Sequence, residues 1–186
     1  MKRVPSAWSL VALSFVSLTL LGACSPQEAA RPEPVALTAE ATGRYCGMNL
    51  LEHHGPKGQA FIAGIAEPVW FSSARDAVAF TLLPEEPKNI AAVYVSDMAV
   101  APSWEDPGSR NWIDARKAFY VIGSTRRGGM GTQEAVPFST EAAAHGFAAD
   151  HGGAVVTFDR IPASYVLGST EASAPPQPAP NDHRRH

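Results

Sequence analysis

Cys46 and Met48 stand two residues apart across Gly47, and another methionine, Met130, lies inside Gly128-Gly129-Met130-Gly131. A methionine among glycines is poorly placed for a core, because glycines bring no apolar neighbours and leave the backbone loose. What they permit is close approach of a thioether to another group. Thiolate and thioether sulfurs are soft donors, and they select a soft ion such as Cu(I). A bend at Gly47 would let the sulfurs of Cys46 and Met48 touch one ion. Met130 by itself reads equally well as an exposed loop methionine. Beside Cys46-Gly47-Met48, a metal site is the better reading.

Other donors are less specific. His53-His54-Gly55-Pro56 follows closely, and neutral imidazole suits copper as well as zinc, although paired histidines in a Pro/Gly turn are more often solvated. His54, Asn49 and Met98 are unranked candidates for a third ligand; Met98 also fits a core position after a β-run. His145 and His151 read as structural, and His183 and His186 as parts of a solvated terminus. There is no Cys-x-x-Cys pair for zinc, no Gly-x-Ser-x-Gly elbow and no phosphate-binding loop. Cys46 as a nucleophile would need His53 or His54 as its base, and no further thiol could resolve a mixed disulfide. Binding rather than catalysis is expected.

The sequence has two cysteines, and the other is Cys24. Lys2 and Arg3 form a basic start, residues 7–21 are an apolar run, and Leu21-Gly22-Ala23-Cys24 resembles a bacterial lipobox. Cleavage before Cys24 and lipidation of its sulfur are expected, which would leave Cys46 as the only free thiol. An uncleaved anchor helix is the alternative. Either way the domain lies across the membrane, on the periplasmic side. Ser25 after Cys24 favours the outer membrane.

The elements that must position these groups lie between residues 44 and 168. Residues 1–23 read as signal peptide and 24–43 as a flexible, lipidated tether. Residues 169–186, with Pro175, Pro176, Pro178 and Pro180, read as a disordered tail. Loss of Lys2 and Arg3 leaves 13 basic residues against 18 acidic. No basic stripe interleaved with aromatics is present, so nucleic acid is not an expected partner. Residues 70–80 align without gaps on residues 137–147, repeating Phe, Ser, Ser/Thr, Ala and Phe. In each copy a hydroxyl at a helix N-cap, Ser73 or Thr140, precedes an Ala-rich helix. Strands are expected over 59–64 and 67–71 as a hairpin, over 91–95, 115–122 and 134–138, and over 154–158. The simplest account is an α+β domain of two pseudo-symmetric strand–strand–helix units, whose two methionine loops could meet at a pseudo-twofold interface.

Taken in order, several motifs resemble the nitrous oxide reductase accessory lipoprotein (NosL) family. They are Tyr45-Cys46-Gly47-Met48, Gly55-Pro56-Lys57, Trp70-Phe71 with its capped helix, Tyr94-Val95-Ser96-Asp97, the run from Trp112 to Val121, Gly128-Gly129-Met130-Gly131 and the Phe138 helix. The resemblance implies treble-clef-like ββα units, distantly shared with part of organomercurial lyase. It implies a tethered copper chaperone that binds one Cu(I), with Met48 and Met130 as ligands and Cys46 as a possible thiolate. Implied partners are nitrous oxide reductase and the ABC-type complex that matures it. Rival readings are a metal-free scaffold lipoprotein of that complex and, with less support, a cysteine-dependent lyase. The His53-His54 pair and the Pro-rich tail depart from common family members.

Overall fold

A computed structural model describes residues 31–168. The expected signal peptide, Cys24 and the expected Pro-rich tail lie outside the described residues. Two antiparallel sheets form an α+β domain, and both are laid down in the same chain order. In the first, β1 (Gly58–Ile62) and β2 (Val69–Phe71) make a hairpin, α1 (Ala74–Leu82) follows, and β3 (Ile90–Ser96) returns along the free side of β1. A further strand, β4 (Trp112–Asp114), extends this sheet to the order β2-β1-β3-β4. In the other, β5 (Phe119–Ile122) and β6 (Val136–Phe138) pair, α2 (Glu141–His151) follows, and β7 (Ala154–Thr157) returns beside β5. A short α3 (Ala163–Leu167) closes the described chain.

Local chemistry accounts for most boundaries. The Ser73 hydroxyl accepts from the Asp76 N–H and the Thr140 hydroxyl from the Ala143 N–H, so both helices start where the repeated hydroxyls cap them. Gly152, with φ of 71°, ends α2 in a conformation that favours glycine. The small faces of α1 bury Ala74, Ala77 and Val78 against the sheet, with Phe80 beside Phe71 at 5.1 Å between ring centroids. Ala77 lies so close over Gly58 that any side chain on Gly58 would collide with it. Tyr120 is fully buried in the same core, and its hydroxyl donates to the Ala115 carbonyl at 2.7 Å.

The expected strands over 59–64, 67–71 and 134–138 differ by no more than two residues at either end, and two boundaries differ by more. The strand expected over 115–122 begins only at Phe119, because the Asp114 carboxylate accepts from the Arg116 N–H and turns Ala115–Lys117 into a 3-10 helix. The stretch expected as tether is, from residue 31 onward, packed on the first sheet. The Gln59 amide donates to the Val35 carbonyl and accepts from the Val35 N–H, both at 3.0 Å. The Tyr94 hydroxyl donates to the Pro32 carbonyl, Arg31 pairs with Asp114 at 2.6 Å, and Ala41 is buried. Composition alone reads Ala, Pro and Glu as flexible, but here the backbone satisfies polar groups that the sheet presents.

Candidate metal centre

The first loop is a tight reversal clipped to the edge of β2. Gly43 N–H donates to the Met48 carbonyl at 3.0 Å and Gly47 N–H to the Gly43 carbonyl at 2.9 Å, with Gly47 at φ 67°. Arg44 N–H donates to the Trp70 carbonyl at 2.8 Å, fixing the loop to the strand. The Arg44 guanidinium and the Tyr45 hydroxyl both reach the Glu86 carboxylate, at 3.1 and 3.2 Å. Burial, and the nearby Glu86 charge, push the Tyr45 phenol well above its ordinary range, so it stays a neutral donor. The Cys46 sulfur lies over the bare Cα of Gly43; a Cβ there would sit 2.5 Å from it.

A 3-10 helix, Leu50–Glu52, then carries the chain to His53. Leu50 is fully buried and anchors it, and Asn49 caps it through the Leu51 N–H. His53 is buried, and its Nε2 stands 4.0 Å from Cys46 Sγ. That gap is long for a hydrogen bond. An ion with zinc-like bonds of about 2.3 Å to sulfur and about 2.0 Å to nitrogen would bridge that gap with a bent sulfur–metal–nitrogen angle.

The second loop is a β-turn. Gly131 N–H donates to the Gly128 carbonyl at 2.8 Å, which puts Gly129 and Met130 at the central positions, and Gly128 N–H donates to the Thr132 carbonyl at 3.0 Å. Gly129 is seated on the histidine: a Cβ there would lie 2.5 Å from His53 Cβ and 3.0 Å from the His54 carbonyl oxygen. The two loops therefore touch at Gly129 and His53. Cys46 is half-buried at this junction, and the methionines of the two loops are open to solvent, Met48 at 38% and Met130 at 46% exposure.

Beneath the turn lies Glu134, fully buried. Its Oε1 accepts from Ser73 Oγ–H at 3.2 Å, Arg75 N–H at 2.8 Å and Ala135 N–H at 2.9 Å. Among the described residues its Oε2 has no hydrogen-bond partner, and a Cβ on Gly128 would lie 2.6 Å from it. Burial pushes the Glu134 carboxyl up to about 8 despite those donors. Lys57, also buried, is pulled down to about 8 by the same loss of water, and its ammonium donates to the Gly55 carbonyl.

The weaker sequence candidates separate clearly. Asn49 engages both ends of its side chain locally: the oxygen accepts from the Leu51 N–H and the amide N–H donates to the Ala39 carbonyl. Met98 packs on the hydrophobic cluster under α2 with Trp104 and Val136, the core alternative. His54 is exposed and lines an open cleft with Trp104, Thr125 and Arg126. His145 lies on α2 beside Glu141 at 3.8 Å, and the His151 ring packs on Phe147 at 4.5 Å. Cys24 lies outside the described residues. His53, not His54, is the imidazole at Cys46. Its distance of seven residues from Cys46 was the only sequence signal, and it does not separate the two histidines. Glu134 had none beyond being a carboxylate at the start of an expected strand. Among the described residues no three His, Cys, Asp or Glu side chains converge.

Comparison with known proteins gives a consistent answer. The NosL family model matches residues 34–166. A relative from Achromobacter cycloclastes, the copper-binding lipoprotein NosL, is 45% identical over 168 residues, covering 90% of this chain and 87% of the relative. Its namesake from Stutzerimonas stutzeri is 37% identical over 130 residues, covering 69% of this chain and 66% of the relative. The crystal structure of the copper chaperone NosL from Shewanella denitrificans superposes with a TM-score of 0.65 at 34% identity, covering 69% of this chain and 95% of that one. The contact of Cys-Gly-Met loop and Gly-Gly-Met turn thus sits in a domain matched over residues 34–166, and this chain belongs to the NosL family.

Proposed function

We propose that this protein is a periplasmic copper chaperone, tethered to a membrane by lipid on Cys24, that carries Cu(I) toward the copper centres of nitrous oxide reductase. The observation that carries this reading is the contact of Gly129 with His53, which brings the turn bearing Met130 to the pair formed by Cys46 Sγ and His53 Nε2 at 4.0 Å. The names of the relatives, copper-binding lipoprotein and copper chaperone, support copper as the cargo.

Cys46, Met48 and Met130 supply sulfur, and His53 supplies nitrogen. Soft donors favour the monovalent ion over harder divalent competitors. Both methionines are exposed, so an incoming ligand can reach the ion before an outgoing one leaves. Transfer is ligand exchange at constant oxidation state, with no bond to carbon made or broken. The ABC-type maturation complex of nitrous oxide reductase is the proposed recipient, and a lipid anchor raises the encounter rate by holding donor and acceptor at one surface. The outer membrane is the proposed site of the anchor.

Competition of the lipid-free domain against a Cu(I) chelator tests the site. Met48→Ala with Met130→Ala should abolish tight Cu(I) binding while thermal unfolding stays cooperative. Cys46→Ser should weaken binding by a smaller factor. Unchanged competition by the double methionine variant would sink the assignment.

A further inference from the structure

We infer that Glu134 is a positioning residue for the copper site: its buried carboxylate joins the turn that carries Met130 to the N-terminus of α1 and, through β2, to the Cys46 loop. The inference rests on the copper reading for its functional consequence, though the mechanical linkage stands on geometry alone.

A carboxylate is not needed merely to cap α1. The Ser73 hydroxyl already accepts from the Asp76 N–H at 3.2 Å, and α2, in the repeated segment, begins with the Thr140 hydroxyl as its side-chain cap. What Glu134 adds is a bridge. Oε1 holds the Ser73 hydroxyl and the Arg75 N–H, fixing the carboxylate to the start of α1. The Tyr165 hydroxyl donates to the Glu134 carbonyl at 2.8 Å and holds its backbone. Oε2 then stands rigidly under Gly128, the first residue of the turn. A buried oxygen without a hydrogen-bond partner is costly, and such costs concentrate where a site demands them.

The linkage continues on the other side of α1. Ser73 follows β2 after one residue, Ser72, and the Trp70 carbonyl of β2 receives the Arg44 N–H, with Gly43 bridged to the same residue. From Gly128 to Arg44, every step is thus a hydrogen bond, a hard contact or a covalent neighbour. The carboxylate sets the height of the Met130 turn relative to the loop that carries Cys46 and Met48. Gly128 must be glycine for the turn to settle on it.

Two substitutions separate positioning from simple stability. Glu134→Ala should weaken Cu(I) binding about tenfold or more, the usual cost of losing an outer-shell support, and shift the Met130 methyl resonance of the folded apo protein. Glu134→Gln keeps an acceptor and the side-chain length, and should restore affinity to within about threefold. Gly128→Ala, pressing on Oε2 from above, should weaken binding and shift the same resonance, and should cost nothing further in the Glu134→Ala background. A Glu134→Ala protein that melts earlier yet keeps wild-type Cu(I) affinity and an unmoved Met130 methyl would overturn the proposal. Should Glu134→Ala fail to fold, an unchanged affinity and methyl resonance in Gly128→Ala alone would do so. Failure of the copper reading is separate: wild type would then bind no Cu(I), while the apo methyl shifts would still report the linkage.

Discussion

His53 and His54 are adjacent, chemically identical and both within a few residues of Cys46, yet they occupy opposite situations. The His53 ring is buried beside Cys46 Sγ, and Gly129 rests on its backbone. The His54 ring faces an open cleft in which the Arg126 guanidinium lies 4.4 Å from the Trp104 ring centre. At this scale the expected outcome is an asymmetry. His53→Ala should lower Cu(I) affinity about tenfold or more by removing a ligand or its support, whereas His54→Ala should leave it within experimental scatter. Chelator competition reads both, and equal effects would remove His53 from the site. The same close packing explains two glycines of the turn, which have a neighbour where a side chain would go, His53 for Gly129 and Glu134 for Gly128; Gly131 instead takes a φ of 74° that favours glycine.

Among elements, the two capped helices offer a comparison inside one molecule. Ser73 and Thr140 each accept a backbone N–H three residues on, so each truncation to alanine removes a cap worth about 1 kcal/mol. Ser73 does more, because its hydroxyl also donates to the buried Glu134 carboxylate. Ser73→Ala strips a donor from a fully buried carboxyl group. Thermal unfolding should therefore show a larger drop in Tm for Ser73→Ala than for Thr140→Ala, whose surroundings are exposed. A larger drop for Thr140→Ala would show that the Glu134 contact contributes little. The caps, the Phe71–Phe80 pair and the β1–β2 hairpin were all legible in the sequence, since each depends on residues close together in the chain. The 3-10 helix at Ala115–Lys117 and the strand β4 were not, because they follow from Asp114 turning the chain and from a β3 edge that only the assembled sheet supplies.

On the scale of the whole molecule, the buried pair Lys57 and Glu134 gives stability a defined pH dependence. Glu134 is raised from 4.5 to about 8, so between those values the folded state holds a proton that the unfolded chain has released. Stability from this group is full at low pH and lost as pH rises toward 8. Lys57 is lowered from 10.5 to about 8, so above pH 8 the unfolded chain binds the extra proton and stability rises again with pH up to about 10.5. Urea unfolding of the apo protein across this range should show the first decline, and Glu134→Gln should flatten it. A decline of the same depth in Glu134→Gln would assign it to other groups. The segment from residue 31 to 43 belongs to this scale too. It satisfies Gln59 and Tyr94 of the first sheet and delivers Gly43 to the Cys46 loop.

The donor types, their glycine settings, the repeated capped helices and the family resemblance were all present in the linear sequence, because side-chain chemistry and capping act over a few residues. Which donors meet was decided only by tertiary structure. The Gly-Gly-Met turn and the Cys-Gly-Met loop are separated by about 80 residues. Their meeting depends on β2, α1 and Glu134 holding two sheets in one arrangement. That arrangement chose His53 over His54, committed both ends of Asn49 to the backbone and placed Met98 on the core under α2. Long-range packing fixes where a side chain points, and neither periodicity nor spacing encodes it.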